Sequence, residues 1–524
     1  MTNKAIGYID SGSLRRGLSV VLYVPTSDIH EGAFVTIDDE RFRYYGLVTD
    51  VATGRINNTA DVIPVLSRIS SERSEQCCPV RRAGTIPPHH AEVRMAAADD
   101  IADIFGRDEK GFFVIGYTRE QGHPVRIDLD KFVQRSAGIF GATGTGKSFL
   151  TRIILAGMLH HNAASVLVFD MHNEYGYDDT ASDTNETVTG LKTKFPTRVQ
   201  VVGLGSGAMI RSTPPDFNLE IAMSDILPED IELLARTLNL RETTATTLDA
   251  LYKRFGKNWF REFKAMKNGA VTENEDGKKN PAPDSVAYWA NEAGVNVMAA
   301  EGLRNKMNRV FGLPYIVEHP AADTISLIVD SLRSGKSIVL SFGEHERDLD
   351  YLLVTNLLTR RIRKEWENQV NAFRSSGTGE PRPLVIVLEE AHKLLNREMA
   401  AQTTFSTIAR EMRKYYVTLL IIDQRPAQIY DEVMSQLGTR ISGKLGDDDD
   451  IRAVLSGLAG RDALRGMLSR LQPKEEVLLL GWGVPMPLPV RSRRYDARFW
   501  EELLGEQDGG AVDPDEILRD LGCR

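Results

Sequence analysis

The sequence has few cysteines and no long apolar run. Its three cysteines are Cys77, Cys78 and Cys523. Adjacent cysteines rarely pair with each other, and no zinc-binding spacing occurs, so a disulfide framework and a zinc module are excluded. The N-terminus has no apolar signal core, and runs such as 415–422 and 477–480 are far shorter than the roughly 18 residues that span a bilayer. These absences predict a cytoplasmic protein without a membrane segment.

The chain also lacks an excess of positive charge. It has 64 basic and 73 acidic residues, which gives a net charge of −9. A protein that coats nucleic acid over its outer surface is usually basic. Any contact with nucleic acid is therefore expected to be confined to a small patch or a channel. The length of 524 residues predicts two or three domains.

The first part of the chain has the pattern of a small β-barrel. Short apolar stretches alternate with Gly-rich and Asp-rich breaks across residues 1–90, which is typical of closely spaced strands. We expect those strands near 19–24, 33–37, 44–51 and 60–66. Residues 91–135 then form a connector, with one more β-like pair around 112–117 and 125–129.

From residue 136 apolar strands alternate with amphipathic helices, the pattern of a parallel sheet covered on both faces. The predicted fold class is α/β, a RecA-like P-loop NTPase core with a helical insertion and the N-terminal β-barrel. We assign 136–214 and 331–494 to the core and 215–330 to the insertion. The tail, 495–524, is acidic and predicted to be helical.

Residues 141–148 match the complete phosphate-binding pattern G-x-x-x-x-G-K-[ST]. A predicted strand precedes the motif and an amphipathic helix follows it, so the flanking structure fits as well. The glycines let backbone N–H groups turn toward phosphate oxygens, and the start of the helix adds positive potential. We expect Lys147 to reach the β- and γ-phosphates and Ser148 to hold Mg²⁺. The expected nucleotide-binding residues of the motif are Gly141, Ala142, Thr143, Gly144, Thr145, Gly146, Lys147, Ser148 and Phe149.

A pair of glutamates follows the apolar strand predicted at 384–388. Ligands bind at the carboxyl ends of strands in open α/β sheets, so Glu389 is expected there as the Mg²⁺ carboxylate. Glu390 is then the candidate catalytic base that orients the attacking water. Alone, the pair would be interpreted as an exposed acidic turn. The complete phosphate motif favours the catalytic interpretation.

Two more strand ends carry polar candidates. Gln424 follows the strand predicted at 417–423, where it can sense the γ-phosphate or position water; the alternative is a plain loop start. Asp170 ends the strand predicted at 165–170. It is expected either to support the nucleotide and metal shell or to cap the following turn, and the spacing leaves both open.

Several segments together resemble the HerA branch of the HerA/FtsK superfamily of hexameric DNA-translocating ATPases. They are IFGATGTGKS at 139–148, VFDMHNEY at 168–175, LEEAHK at 388–393, AREMRK at 409–414 and DQRP at 423–426. In the N-terminal part, AIGYI at 5–9 and RYYGLV at 43–48 resemble that family's HAS barrel.

The resemblance implies a homo-hexameric ring that binds ATP and Mg²⁺ between neighbouring subunits. An arginine of one subunit would then stabilise the γ-phosphate held by the next. Arg413 matches the family's arginine in the helix before the strand predicted at 417–423. Arg135 resembles a second family position, and Arg440 and Lys444 are further candidates. For each, the alternative is a solvated charge or a surface ion pair.

Two features depart from the simplest form of this interpretation. The metal carboxylate is Glu389, where many P-loop proteins use aspartate. The acidic run Asp447, Asp448, Asp449 and Asp450 would repel DNA in a pore. We therefore expect this run on an outer face, near the N-terminus of a helix.

The resemblance implies a motor that moves double-stranded DNA through its central channel. Such a motor works beside a separate effector, either the nuclease NurA in DNA end repair or another enzyme in antiviral defence. The effector is expected to dock on the N-terminal barrel. The alternative is an ATP-binding ring scaffold with little translocation, which assembles or regulates a nuclease or a sirtuin-like NAD-consuming enzyme. The net negative charge leaves room for this second function.

Overall fold

A computed structural model describes residues 5–69, 80–119, 122–180, 187–241, 243–273, 279–400, 404–458 and 460–505. The three cysteines and tail residues 506–524 lie outside these ranges. The chain divides into two compact units. The first is Met1–Ala163 with Leu420–Arg524, and the second is Ala164–Leu419.

The first unit begins with a closed antiparallel barrel. Its strands, in spatial order, are Gly17–Leu22, Ala5–Ser13, Glu92–Met95, Phe34–Asp38, Phe42–Ala52 and Thr59–Ile69. The barrel closes because Gly17–Leu22 also pairs with Thr59–Ile69, from Leu18 opposite Val62 to Val21 opposite Thr59. Closure removes free strand edges. Arg81–Arg82 adds a short extra strand beside Thr59–Ile69.

The barrel interior is filled by β-branched and aromatic side chains. Val20, Val35, Ile37 and Val93 are fully buried, and Tyr44 packs in the same cluster. Successive residues of a strand point to opposite faces, so one apolar set fills a small barrel.

The first unit also carries a mixed sheet. Its parallel part places the P-loop strand, Ala137–Phe140, between Thr439–Ser442 and the end of Val417–Asp423. Antiparallel strands continue the sheet from Thr439–Ser442 in the order Glu476–Gly481, Leu488–Ser492, Phe112–Thr118 and Pro124–Asp128. The pair predicted around 112–117 and 125–129 thus belongs to this sheet.

The P-loop helix, Lys147–His160, is buried at every position from Leu150 to Leu159. This burial explains why the helix is apolar in that stretch except at Thr151 and Arg152. The other helices of the unit are Ala98–Phe105, Leu129–Val133, Asp431–Gln436, Asp448–Val454, Arg461–Arg470 and Ala497–Gly505, with 3₁₀ turns Thr26–Asp28 and Pro426–Gln428.

The second unit contains a parallel sheet. Its strand order is Phe217–Leu219, Val199–Leu204, Ser337–Ser341, Ser165–Asp170 and Leu384–Glu389. Ser165–Asp170 and Leu384–Glu389 are buried at every residue. Strands buried on both faces are continuously apolar, which is why the sequence shows runs rather than alternation there.

Helices make up most of the rest of the second unit, including residues 215–330. They are Leu191–Lys194, Pro228–Glu232, Thr244–Phe255, Trp259–Ala265, Val286–Ala293, Val297–Phe311, Thr324–Arg333, Asp348–Ser376, His392–Leu395, Arg397–Ala400 and Thr404–Glu411, with 3₁₀ turns Met223–Asp225, Gly256–Asn258 and Met412–Tyr415. Short strand pairs are Asp179–Thr180 with Thr187–Val188, Ile221–Ala222 with Ile316–Val317, and Val271–Glu273 with Lys279–Pro281.

These elements confirm the α/β class, the N-terminal barrel and the helical insertion. The domain boundaries drawn from the sequence stay a prediction. No helix in the described ranges is long and apolar enough to cross a membrane.

A buried carboxylate ties the start of the helical insertion to the long helix Asp348–Ser376. Asp230 is fully buried and accepts hydrogen bonds from Arg360 Nη2 (2.8 Å) and Asn356 Nδ2 (3.1 Å). It also accepts one from the Leu227 N–H (2.9 Å), which caps its own helix. Burial raises the pKa of Asp230, and Arg360 opposes that shift.

We predict that Asp230→Ala destabilises the protein by about 3 kcal/mol, because it leaves buried donors and Arg360 without their acceptor. The midpoint of thermal unfolding measures the effect. The exposed Asp249, on the helix Thr244–Phe255, provides the control Asp249→Ala. Equal midpoints for the two variants would contradict a structural role for Asp230.

Candidate active site

Glycines shape the phosphate-binding loop in the first unit. Gly144 and Gly146 have φ angles of 76° and 88°, which side chains with a Cβ rarely adopt. A Cβ on Gly141 would lie 2.5 Å from Thr145 Oγ1, so only glycine fits there. The Leu150 N–H donates to the Gly146 carbonyl (3.0 Å). The amides before Leu150 belong to the first turn, which has no intrahelical acceptors for its N–H groups.

The loop is held by contacts within the first unit. The Ala142 N–H donates to the Lys444 carbonyl (3.0 Å), and Thr145 Oγ1 donates to the Ala142 carbonyl (2.7 Å). Lys147 Nζ donates to the carbonyls of Gly141 (2.8 Å) and Ala142 (3.0 Å). The lysine therefore rests on the loop backbone and has to exchange these bonds for phosphate oxygens. Lys444 supports the loop through its backbone.

The structure brings Gln424 to the phosphate-binding loop. Thr143 Oγ1 donates to Gln424 Oε1 (2.5 Å). Gln424 follows the strand Val417–Asp423, whose end pairs with the P-loop strand, with Asp423 opposite Phe140. The Gln424 side chain is thus positioned to respond to a conformational change of the phosphate-binding loop.

Sequence reasoning missed Lys474, which also lies at this loop. A Cβ on Gly146 would stand 3.6 Å from the Lys474 Cα, and Lys474 has a φ of 66°. A lysine in a turn before a strand carries no sequence signal for this contact. Only the folded sheet brings position 474 beside position 146.

Glu389 is a buried carboxylate in the second unit. Tyr175 Oη donates to Glu389 Oε1 (2.6 Å), and Tyr351 Oη donates to the Glu389 carbonyl (2.9 Å). Glu389 Oε2 is buried without a hydrogen-bond partner in the described residues. Burial, together with Asp170, Glu174 and Glu390, raises the pKa of Glu389 well above its usual range.

This environment fits a magnesium ligand. An ionised carboxylate is costly to bury unless a cation or hydrogen bonds compensate it. The orphaned Oε2 supplies an oxygen for Mg²⁺, a cation that is commonly held by one or two carboxylates together with substrate phosphates. In the first unit, Ser148 is half-buried at the start of the P-loop helix and has the hydroxyl that such motifs use to hold Mg²⁺.

Asp170 stabilises a turn. Its side chain is 1% exposed, and its two oxygens accept the N–H groups of Glu174 (2.8 Å) and Tyr175 (2.9 Å). These bonds position Tyr175, which in turn holds Glu389. Of the two roles that the sequence left open, the geometry supports the capping role. Asp170 acts on the site through Tyr175 and through its charge.

Glu390 has a backbone conformation that is rare for a residue with a side chain. Its φ is 46°, in the left-handed region, and its side chain is half-buried. Such strain persists only where the surrounding structure imposes it, and it concentrates at functional sites. The His392 imidazole lies close by, with Nε2 3.8 Å from Glu390 Oε2. The two adjacent glutamates at the end of this strand therefore differ in environment: Glu389 is buried, whereas Glu390 is half-buried.

Two candidate arginines have accessible side chains. Arg413 is exposed in the turn Met412–Tyr415 of the second unit. Arg135, in the first unit, precedes the P-loop strand, at the end opposite the phosphate-binding loop. Its guanidinium carbon lies 4.0 Å from the ring centre of Trp482, a cation–π contact. Arg135 thus lies away from the phosphate-binding loop of its own chain.

Arg440 has a different environment. It is 5% exposed, and its guanidinium donates to the carbonyls of Val454 (2.5 Å), Ser456 (2.7 Å) and Met434 (2.8 Å). Burial lowers the pKa of Arg440 to about 10. These contacts give Arg440 a structural role at the end of the helix Asp448–Val454, in place of the role at a nucleotide that the resemblance implied.

The acidic run lies at a helix N-terminus, as expected. Asp447 caps the helix Asp448–Val454 by accepting the Asp449 N–H (2.7 Å). Asp448 pairs with Arg465 (2.7 Å), and Asp449 pairs with Arg452 (2.8 Å). Asp450 accepts the Ala427 N–H (3.0 Å). Internal partners therefore account for all four aspartates.

The sequence is similar to proteins of one helicase family. The profile of the family described as "Helicase HerA, central domain" matches residues 113–362. A DNA double-strand break repair helicase HerA of Sulfurisphaera tokodaii is 26% identical over 94% of this chain and 94% of its own. That of Saccharolobus solfataricus is 24% identical over 98% of this chain and 95% of its own. The chain is thus similar to HerA helicases over nearly its whole length. With its complete phosphate-binding motif, this HerA-type chain is a P-loop ATP hydrolase.

A solved structure was also compared. VirB4 of Thermoanaerobacter pseudethanolicus is 17% identical, with a TM-score of 0.46, and the match covers 74% of this chain and 98% of that one.

We predict that Tyr175→Phe moves the acidic limb of the ATPase pH profile to higher pH. The Tyr175 hydroxyl stabilises ionised Glu389, so its removal raises the pKa of a carboxyl that must be ionised to bind Mg²⁺. Activity is then lost at a higher pH as the pH falls, and the variant needs more Mg²⁺.

Tyr177→Phe is the control for this prediction, because Tyr177 donates to the Pro214 carbonyl (2.7 Å) and its hydroxyl does not contact Glu389. Initial rates from pH 5 to 9 at several Mg²⁺ concentrations make the measurement. Identical pH profiles for the two variants would show that the ionisation of Glu389 does not control the ATPase rate.

Proposed function

We propose that the chain is an ATP-driven translocase of double-stranded DNA that works as a hexameric ring beside a separate effector. The observation that carries the proposal is a HerA-type sequence that aligns over 94% of its length with proteins named DNA repair helicases. The strained Glu390, next to a buried carboxylate, supports coupling to ATP hydrolysis. The net charge of −9 favours DNA contacts confined to a channel.

The proposed catalytic roles are as follows. The phosphate-binding loop and Lys147 bind the triphosphate, and Ser148 and Glu389 hold Mg²⁺. Glu390 orients the attacking water and accepts its proton, while Gln424 senses the γ-phosphate through Thr143. Mg²⁺, when bound, neutralises charge on the phosphates.

In a ring, Arg413 of one subunit would contact the nucleotide of its neighbour. Its exposure supports this role, since an arginine that acts on a neighbour must be accessible. Arg135, stacked on Trp482, is the second candidate for a contact between subunits.

An aromatic surface on the barrel supports docking of an effector. Tyr23 is 60% exposed, its ring centre lies 5.6 Å from that of Tyr8, and Tyr8 lies 5.3 Å from His90. Clusters of aromatic residues are enriched at protein–protein interfaces. The proposed partner is a nuclease or an NAD-consuming enzyme, acting in DNA repair or antiviral defence.

The second candidate function is a regulatory ring with little translocation. The net negative charge favours it, since DNA binding gains affinity mainly from positive charge. The acidic run adds less support than its composition suggests, because its aspartates have partners within the first unit.

ATP hydrolysis with and without linear double-stranded DNA separates the two functions. For the motor we expect stimulation by DNA that weakens steeply as salt rises. Glu390→Gln should lower kcat by about 100-fold or more while nucleotide binding is retained. The exposed Glu292 provides the matched control Glu292→Gln. Hydrolysis that needs Glu390 but ignores DNA would favour the regulatory ring.

Mixing variants tests whether Arg413 acts on a neighbouring subunit. Arg413→Ala alone should lose roughly 1000-fold in kcat. When it is mixed with Lys147→Ala, which supplies an intact Arg413 but cannot bind phosphate, activity should return in part. Lys414→Ala, in the same turn, controls for local damage. No recovery from rings shown to be mixed would place Arg413 outside the neighbour's site.

A further inference from the structure

An aromatic platform lies at the start of the P-loop helix. Phe149 follows Ser148 directly and is 37% exposed, unusual for a large apolar side chain in a helix that is otherwise buried. Its ring centre lies 6.3 Å from that of Tyr495, at an angle of 41°. We use the term aromatic platform for Phe149 and Tyr495.

A buried cation supports both rings. Arg152 is 4% exposed, and its guanidinium carbon lies 5.5 Å from the Phe149 ring centre and 5.8 Å from that of Tyr495. Both distances fall in the range of cation–π attraction. Arg152 belongs to the P-loop helix, so this helix holds the aromatic platform in place.

The terminal helix Ala497–Gly505 fixes the other side of the platform. Tyr495 lies 5.5 Å from the ring of Phe499 and 5.3 Å from that of Trp500, both buried. Phe499, Trp500 and Leu503 already supply the buried contacts of that helix. Packing of the helix therefore does not explain why Phe149 is left exposed.

The chemistry of the phosphate-binding loop says which part of a nucleotide lies near Phe149. Lys147 reaches the β- and γ-phosphates, while the loop amides hold the α- and β-phosphates. The Leu150 N–H donates to the Gly146 carbonyl, so Phe149 is the last residue of the first turn, whose N–H groups have no acceptor within the helix. The α-phosphate, and the nucleoside attached to it, is thus expected on the side of Phe149.

We propose that the aromatic platform stacks the base of the nucleotide bound at the phosphate-binding loop. This inference rests on the ATP site described above and adds the determinant of base affinity. Aromatic faces bind every base, and larger bases stack over more area. The platform therefore gives purines an advantage over pyrimidines and discriminates weakly between adenine and guanine.

Calorimetric binding of diphosphates tests the proposal without hydrolysis. The probes are ADP, GDP, CDP and pyrophosphate, each with Mg²⁺; pyrophosphate lacks the nucleoside. Phe149→Ala and Tyr495→Ala should each weaken ADP binding by about 5- to 100-fold. Pyrophosphate binding should stay within about twofold, and Phe149→Tyr should bind ADP like the wild type. Tyr252→Ala, at a residue that is also 37% exposed but lies on the helical insertion, is the control.

Each outcome has one meaning. Selective loss of ADP binding, with ADP and GDP bound more tightly than CDP by the wild type, supports the platform. Unchanged ADP affinity in both variants overturns it and leaves the phosphate site intact. Equal loss of ADP and pyrophosphate also overturns it, because the aromatic residues would then only support the loop. A wild type that binds neither ligand would instead overturn the phosphate site itself.

Discussion

The first turn of the P-loop helix must present its backbone N–H groups to a ligand instead of satisfying them internally. This constraint explains the composition of the loop, since glycine takes the left-handed angles of Gly144 and Gly146 without the steric cost of a Cβ. It also explains the surrounding contacts. Thr145 Oγ1 and Lys147 Nζ donate to loop carbonyls, and the Lys444 carbonyl accepts the Ala142 N–H, so these contacts hold the loop in shape.

Burial of negative charge is the matching constraint in the second unit. Glu389 and Asp170 end adjacent parallel strands and are nearly inaccessible to water. Asp170 is satisfied by the turn amides, whereas one oxygen of Glu389 is not. Burial and the neighbouring Asp170 together raise the pKa of Glu389.

The other charged candidates fall into two groups according to what their side chains contact. Arg440 and the acidic run are bonded within the first unit, so their charges serve local structure. Arg413 remains exposed, and Arg135 is held by an aromatic ring at the far end of the P-loop strand. In sequence all of these look alike, because a charged residue carries no mark of whether its partner is internal.

The sequence by itself determined the elements whose signal is local. The P-loop strand and helix and the glycines between them were predictable because turn chemistry and apolar periodicity act over a few residues. The ends of the apolar strands gave Glu389, Glu390 and Gln424 for the same reason.

Only the tertiary structure decided what depends on residues far apart in the chain. It placed Lys474 beside Gly146, gave Arg440 its carbonyl partners, made Asp170 a turn cap that holds Tyr175 on Glu389, and put Tyr495 against Phe149. These contacts depend on strand order and on which faces are buried. Because packing, and not local propensity, selects the partner of a charged or aromatic side chain, the sequence could name these residues but not their roles.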